Sequence, residues 1–421
     1  IITAIIFAKF LKKKLVISTA TIALQEQLVE RDLPNLQKTC GVDFSFSIAK
    51  GRQRYFCLNK AENRLKDNKQ SDPNKLLFPD EQNSLSDQTI DFITDAKQAF
   101  LEGDWDGDKD NWPYSLNEED WSSVVADTAS YCGGKLPKHR ECALTISRKE
   151  LRDVDIIIAN HDLVLADLSS GGNILPDPSD TIYVFDEAHH LPEKTQNHQT
   201  SKLSIDNERK RILQTEKVLN RVNKILKSNE GFDKLQKSIN QTDEALESCL
   251  INLQNLINDF FKKNINLANS SLELRFPHGK VPSEMESVFD ELSHCFNIKI
   301  SLLENISEKI NKSFTDDNSP EQANREALSA TIDDIIISSE IASHLCEDYS
   351  DTQMKNEVLN VRWLRQLDAD DLNNIIAFST PLLPSKSLNK LIWGNCFSAI
   401  LTSATLTALD RFDHFIEKIG I

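Results

Sequence analysis

Thr181-Ile182-Tyr183-Val184-Phe185-Asp186-Glu187-Ala188-His189-His190 sets the terms for the rest of the chain. Its first five residues, β-branched and aromatic, predict a buried strand, and acidic and imidazole groups follow at once. Ligands of open α/β sheets gather beyond the carboxyl ends of the strands. Asp186 and Glu187 therefore stand where such proteins do chemistry. In nucleotide hydrolysis a first carboxylate can hold Mg2+, usually through water, and a second can orient and deprotonate the attacking water. A bare Asp-Glu pair would more often be a solvated strand end. The balance turns on a second strand, Ser398–Leu401, which runs into a small-residue turn, Thr402-Ser403-Ala404-Thr405.

Working outward, Lys14 to Ser18 (KLVIS) and Asp155 to Ala159 (DIIIA) read as two more buried strands. After the first comes the turn Thr19-Ala20-Thr21, then an apolar helix face of Ile22, Leu24, Leu28 and Leu33 that Pro34 interrupts. Strand followed at once by helix is an α/β signature. Residues 59–125 are rich in Asp, Asn, Lys and Ser with weak periodicity, which predicts an insertion with short helices. Residues 203–348 read as a helical block. Leu235, Ile239, Thr242, Leu246, Cys249, Leu253, Leu256 and Phe260 alternate spacings of four and three, the seam of packed antiparallel helices. The order is α/β, polar insertion, α/β, helical insertion, α/β, and one open sheet interrupted twice accounts for it.

At roughly 150 residues per domain, 421 residues predict about three units. A net charge of −17 argues against a protein that coats polyanions generally, though a local basic path is compatible with it. The densest basic stretch is Lys135, Lys138, His139, Arg140, Arg148, Lys149 and Arg152, near Tyr131; Arg52, Arg54 and Tyr55 add cationic and stacking surface. Eight cysteines, irregularly spaced and without an export signal, fit a reducing cytoplasm. The apolar run at residues 1–11 contains Lys9 and is well short of the ~20 residues of a membrane span. It starts without Met, which reads as a chain cut inside a domain. Asp104 to Asp110 imitates a calcium loop, but Lys109 stands where Gly is needed and Ser115 where Glu is, so a solvated acidic turn is expected.

Five words, in order, carry a resemblance. They are Ser18 to Leu28 (STATIALQEQL), Lys50 to Cys57 (KGRQRYFC), Ala159 to Leu163 (ANHDL), Asp186-Glu187-Ala188-His189, and Leu401 to Leu406 (LTSATL). Together they resemble motif Ia, the start of the iron–sulfur domain, the stretch ahead of the DEAH box, the box itself, and motif III of the DinG branch of the XPD/Rad3-like superfamily 2 DNA helicases. The resemblance implies an α/β fold: an incomplete RecA-like parallel-sheet first motor domain with an iron–sulfur-type insertion and a helical arch insertion. The motor parts would be residues 1–48, 151–200 and 373–421, the cysteine-containing insertion 49–150, and the arch 201–372. It also implies ATP-driven 5′ to 3′ movement on single-stranded DNA, at junctions with duplex, in repair or replication, in the cytoplasm and away from membranes. Asp186 would ligate Mg2+ and Glu187 would activate water. His189, Thr402 and Ser403 would couple the γ-phosphate state to DNA grip. Thr19, Thr21, Arg52, Tyr55, Lys138 and Arg140 would face DNA.

Two departures qualify this. A phosphate cradle needs G-x4-G-K-[ST], and the Gly-Lys pairs Gly134-Lys135 and Gly279-Lys280 lack both the earlier Gly and the following Ser or Thr. With that loop and the second motor domain expected beyond Ile1 and Ile421, the chain by itself is not expected to hydrolyse ATP. For a [4Fe–4S] cluster, Cys57, Cys132 and Cys142 match family ligands, but the remaining cysteine has no counterpart in the stretch from Gly133 to Glu141. His139 is open to reading as a substitute ligand or as a DNA-facing group. The alternative to a helicase is a paralogue that binds single strands without hydrolysing ATP.

Overall fold

A computed structural model describes residues 1–69, 86–126, 142–226, 230–263, 273–312, 320–350, 360–366, 374–406 and 411–421. The chain divides into two compact units, Ile1–Lys194 with Ser385–Ile421, and Thr195–Pro384.

Leu15, Val16 and Ile17 form a strand with no polar side for water, and the first unit buries it on both faces. That strand is β1 (Lys14–Thr19); the others of its sheet are β2 (Phe46–Ile48), β3 (Ile156–Asn160), β4 (Thr181–Phe185) and β9 (Ser398–Leu401). All pairings are parallel, in the order β2-β3-β1-β4-β9. Strand alternation then divides the apolar residues between two cores. Val16, Ile157, Ala159, Tyr183 and Phe185 pack with Leu163, Val164 and Leu165 of the helix His161–Ser169, and with Leu388 and Ile392. Leu15, Ile17, Ile156, Ile158, Ile182 and Val184 pack with Ala4, Ile5 and Ala8 of the helix Ile2–Leu11, and with Leu28 and Leu33. Pro34 does not break the helical path after β1. One π-turn, Leu28–Asp32, precedes it, and Pro34 sits in the first turn of Leu33–Cys40, where a missing N–H is tolerated. The terminal helix is Asp413–Ile419; residues 407–410 lie outside the described residues.

Between β2 and β3 the polar stretch has a small core of its own, in which Phe56, Ile93, Trp105 and Trp121 are buried. Trp105 meets Phe56 at 5.4 Å and Trp112 at 4.8 Å between ring centroids. The acidic turn is not solvated as expected. Lys50 Nζ reaches Asp108 at 2.5 Å and Asp110 at 2.8 Å, and Arg54 also pairs with Asp110. Burial alone would lower the Lys50 ammonium, but its bonds to the two carboxylates outweigh that and raise it. Partners so far apart in sequence leave no local signal.

The second unit carries the expected helices, Ile205–Leu226, Glu230–Lys263, Ser283–Lys312 and Pro320–Tyr349. It also holds an antiparallel sheet that sequence periodicity did not reveal: β5 (Ser201–Ser204), β6 (Glu273–Arg275), β7 (Asn360–Gln366) and β8 (Ile375–Pro381), in the order β5-β8-β7-β6. β8 pairs with β5 and β7, so residues 375–381 belong to this sheet and not to the parallel one. Tyr349 closes the sheet onto the last helix, its hydroxyl donating to the carbonyls of Trp363 (3.0 Å) and Phe378 (2.7 Å). Across the helices, Lys299 Nζ bonds Asp243 Oδ1 at 2.6 Å with both side chains under a tenth exposed. Among the described residues no helix is long and apolar enough to cross a membrane.

Removing one partner of a buried ion pair leaves an uncompensated charge, whereas replacing both with apolar groups does not. Lys299→Met is therefore expected to destabilise the protein by about 3–5 kcal/mol, and adding Asp243→Leu to return much of that loss. Urea unfolding followed by the helical signal checks this; equal losses in the single and double variants would contradict it.

Candidate active site

Parallel pairing puts the carboxyl ends of β1, β3, β4 and β9 along one edge, and the side chains with chemical potential leave from there. Two of those ends are fastened to each other by main chain. Thr402 N–H donates to Phe185 O at 2.9 Å, and Ala188 N–H donates back to Thr402 O at 2.9 Å. A third contact ties in β1, with Asp186 N–H donating to Ser18 O at 2.8 Å. Glu187 sits at φ 50°, ψ 46°, the left-handed region that a non-glycine residue occupies at a cost of roughly 1–3 kcal/mol. Such strain persists where surrounding bonds over-determine it, and here bonds on both sides of Glu187 do so.

The side chains continue this fastening. Thr402 Oγ1 donates to Asp186 Oδ1 at 2.8 Å, and among the described residues Asp186 Oδ2 has no hydrogen-bond partner. Ser403 Oγ lies 3.0 Å from Glu187 Oε2 and 2.7 Å from His189 Nδ1, which is itself 3.2 Å from Glu187 Oε2. A serine hydroxyl has one proton, and a carboxylate only accepts. Ser403 therefore donates to Glu187 and accepts from His189, which assigns the proton of a neutral His189 to Nδ1 and leaves Nε2 as an acceptor. Glu187 and His189 are each about one-third exposed, so an outside ligand can reach them. A hard carboxylate oxygen with a neighbouring hydroxyl suits Mg2+, which binds through one or two carboxylates and keeps several waters.

The structure thus brings Asp186, Glu187, His189, Thr402 and Ser403 together. At β1, Thr21 is exposed and caps the next helix, accepting from Leu24 N–H at 3.4 Å. Thr19 is buried and its hydroxyl donates to Thr21 O at 3.0 Å, so its side chain is not free to meet a ligand. Arg52 is exposed on a short turn. Tyr55 is a correction: it is 5% exposed, with its hydroxyl 2.7 Å from Ser147 Oγ, and offers no ring face for stacking. Its place in an apolar cluster, invisible to a local reading, explains the difference.

Cys57 and Cys142 lie buried in that same cluster with Tyr55, Ala126, Ala143 and Leu144. Cys132, Lys138 and Arg140 lie outside the described residues. Among the described residues no group of three His, Cys, Asp or Glu could hold a metal ion. A [4Fe–4S] cluster takes four thiolates, and even with Cys132 the matching set has three. The three matching thiolates fall one short of that set, and Cys132 and His139, the candidate substitute, lie outside the described residues.

One further group at this edge comes from the Ala159–Leu163 stretch. His161, fully buried, follows β3 directly, and its Nδ1 lies 2.6 Å from Ser18 Oγ. Its position beyond the buried strand ending at Asn160 was the available signal.

In sequence, the chain is 33% identical over 423 residues to the ATP-dependent DNA helicase DinG of Photobacterium profundum, covering 99% of this chain and 58% of that protein. It is 26% identical over 433 residues to the ATP-dependent DNA helicase DinG of Escherichia coli (strain K12), covering 100% and 58%. No family model matches. A solved XPD helicase matches with a TM-score of 0.37 and 12% identity over 99% of this chain and 55% of that one. By sequence this chain is DinG-like over nearly its whole length, and it spans 58% of the curated relatives named here.

Burial holds the His161 imidazole down at about 4, against an ordinary value near 6.5, while the Asp186 main chain and Asp162 pull it upward. The unfolded chain takes up a proton as pH falls through 6.5, and the folded form resists until about 4. Stability tied to the neutral ring is complete above pH 6.5 and is lost towards pH 4, on the order of 3 kcal/mol in all. Unfolding free energies of wild type and His161→Asn at pH 7 and pH 4 check this. Wild type should lose the larger amount; equal losses would remove His161 as the cause.

Proposed function

We propose that this chain forms part of an ATP-dependent DNA helicase of DinG type, in which it supplies the groups that activate water and pass the nucleotide's state to DNA. The observation that carries this reading is the bonded set Asp186–Thr402 and Glu187–Ser403–His189 at the carboxyl edge of a parallel sheet. Glu187 would accept the proton of the attacking water, and Asp186 would hold the Mg2+ that neutralises charge on the transferring phosphate. His189 shares Ser403 with Glu187, so a phosphate accepted beside Nε2 would be felt at the carboxylate. Thr402 and Ser403 follow β9 and move with it, which suits them to couple hydrolysis to grip. The exposed Thr21 and Arg52, with Lys138 and Arg140, would line a single strand, since small hydroxyls and cations suit phosphate contacts.

The same reading makes residues 1–48, 151–200 and 373–421 one RecA-like motor domain, though β8 argues for starting its last part near Ser385. Residues 49–150 would be its cysteine-containing insertion and the long helices its arch. The chain has no G-x4-G-K-[ST] word. Hydrolysis, 5′ to 3′ movement and action at junctions in repair or replication are thus proposed for a longer cytoplasmic protein of which this is a part.

Removing a positioned general base costs typically 10²–10⁴-fold. In that protein Glu187→Gln is expected to lower DNA-stimulated ATP turnover by at least about 100-fold and to leave single-strand affinity, by fluorescence anisotropy, within about twofold. Turnover unchanged by the substitution would reject the role given to Glu187; wild-type DNA binding without turnover would favour the non-hydrolysing paralogue. Ser403→Ala removes one charge-assisted hydrogen bond of about 1.5 kcal/mol and is expected to lower stimulation about tenfold. Stimulation at the wild-type level in steady-state assays would separate Ser403 from coupling.

A further inference from the structure

We propose that His161 is a positioning residue that holds the Asp186 turn against the end of β1, so that the DNA-side turn Thr19–Thr21 and the Mg2+-side carboxylate move together. The functional half of this rests on the helicase reading above; the bracing itself does not.

Three strands contribute. Ser18 is the penultimate residue of β1, His161 follows β3, and Asp186 follows β4. Ser18 uses both its groups: its carbonyl accepts Asp186 N–H at 2.8 Å, and its hydroxyl lies 2.6 Å from His161 Nδ1. Ser18 and His161 are both wholly buried, so neither bond competes with water. The ring also packs on Phe185, the residue before Asp186, with centroids 5.9 Å apart. Asp186 is thereby fixed from its own strand, from Ser18, and through Ser18 from His161.

The second ring nitrogen shows that His161 does more than fill space. Nε2 is buried and has no hydrogen-bond partner among the described residues, and the Asp186 main chain is the acceptor that raises the ring's pKa. With Nε2–H turned towards that acceptor, Nδ1 takes the proton of Ser18 Oγ. Buried polar atoms are usually satisfied, and an apolar residue would fill the same volume without leaving one unpaired.

The test uses amide hydrogen exchange on the intact protein, without nucleotide, and Mg2+ dependence of its DNA-stimulated ATPase. In His161→Ala, exchange at Asp186, Ala188 and Thr402 should rise at least about tenfold, while the strand amides of Ile17, Ile158 and Val184 keep their protection. Ser18→Ala should reproduce that pattern. His161→Asn, whose amide can take the place of Nδ1, should restore most of it. The Mg2+ concentration for half-maximal ATPase should rise several-fold in His161→Ala, more than kcat falls. Exchange raised uniformly through the sheet, or unchanged at Asp186 in His161→Ala and Ser18→Ala alike, would overturn the inference. An unchanged Mg2+ requirement with the local exchange pattern present would overturn its functional half. A wild-type protein without ATPase would overturn the helicase reading, and the exchange pattern would still decide for or against the brace.

Discussion

Everything at the candidate site depends on the parallel pairing of β4 with β1 on one side and β9 on the other. Val184 stands opposite Ile17 and opposite Ile400; one residue further on β4 and β9 end together, and β1 ends one residue after that. An antiparallel neighbour would send one of these turns to the far edge of the sheet. Parallel pairing instead delivers Ser18, Asp186 and Thr402 to one place, although the last is 216 residues from Asp186 in the chain. The requirement that such a sheet be covered on both faces then dictates the runs of Ile, Leu and Val in its strands.

Because the strands come from separated segments, the pieces between them must fold without disturbing the sheet. The stretch between β2 and β3 does so with an aromatic core of its own and with Lys50 and Arg54 drawing in Asp108 and Asp110. The second unit does so with helices laid over a four-stranded antiparallel sheet. Its buried Lys299–Asp243 pair is poor evidence of stability in itself, but it penalises any slip of one helix along another.

Three strands of the parallel sheet, β1, β3 and β4, were legible because both-face burial writes itself as a continuous apolar run, and the half-buried β9 by its apolar residues; the three-residue β2 gave no such signal. The turns were legible because Asp186-Glu187-Ala188-His189 and Thr402-Ser403-Ala404-Thr405 sit immediately after such runs. What escaped were relations across space. β5 and β6 are short, and neither has the length to show alternation. Nothing near Tyr55 in sequence reveals the cluster that covers its ring. Cys249 fitted a helical seam, but that it meets Cys295 and Glu291 depended on packing; burial first, then those neighbours, push its thiol up to about 11. The Ser18–His161 bond joins residues 143 apart, so its two halves looked unrelated.

The proposed role of Asp186 and Glu187 is to form the metal and water side of a nucleotide-hydrolysing site. Its most direct test is anomalous scattering from crystals of the intact protein grown with Mn2+ in place of Mg2+ and a non-hydrolysable ATP analogue. The account predicts a manganese peak beside Asp186, within reach of Oδ2 directly or through one water. Nucleotide bound with its metal elsewhere, and no peak at Asp186, would contradict it.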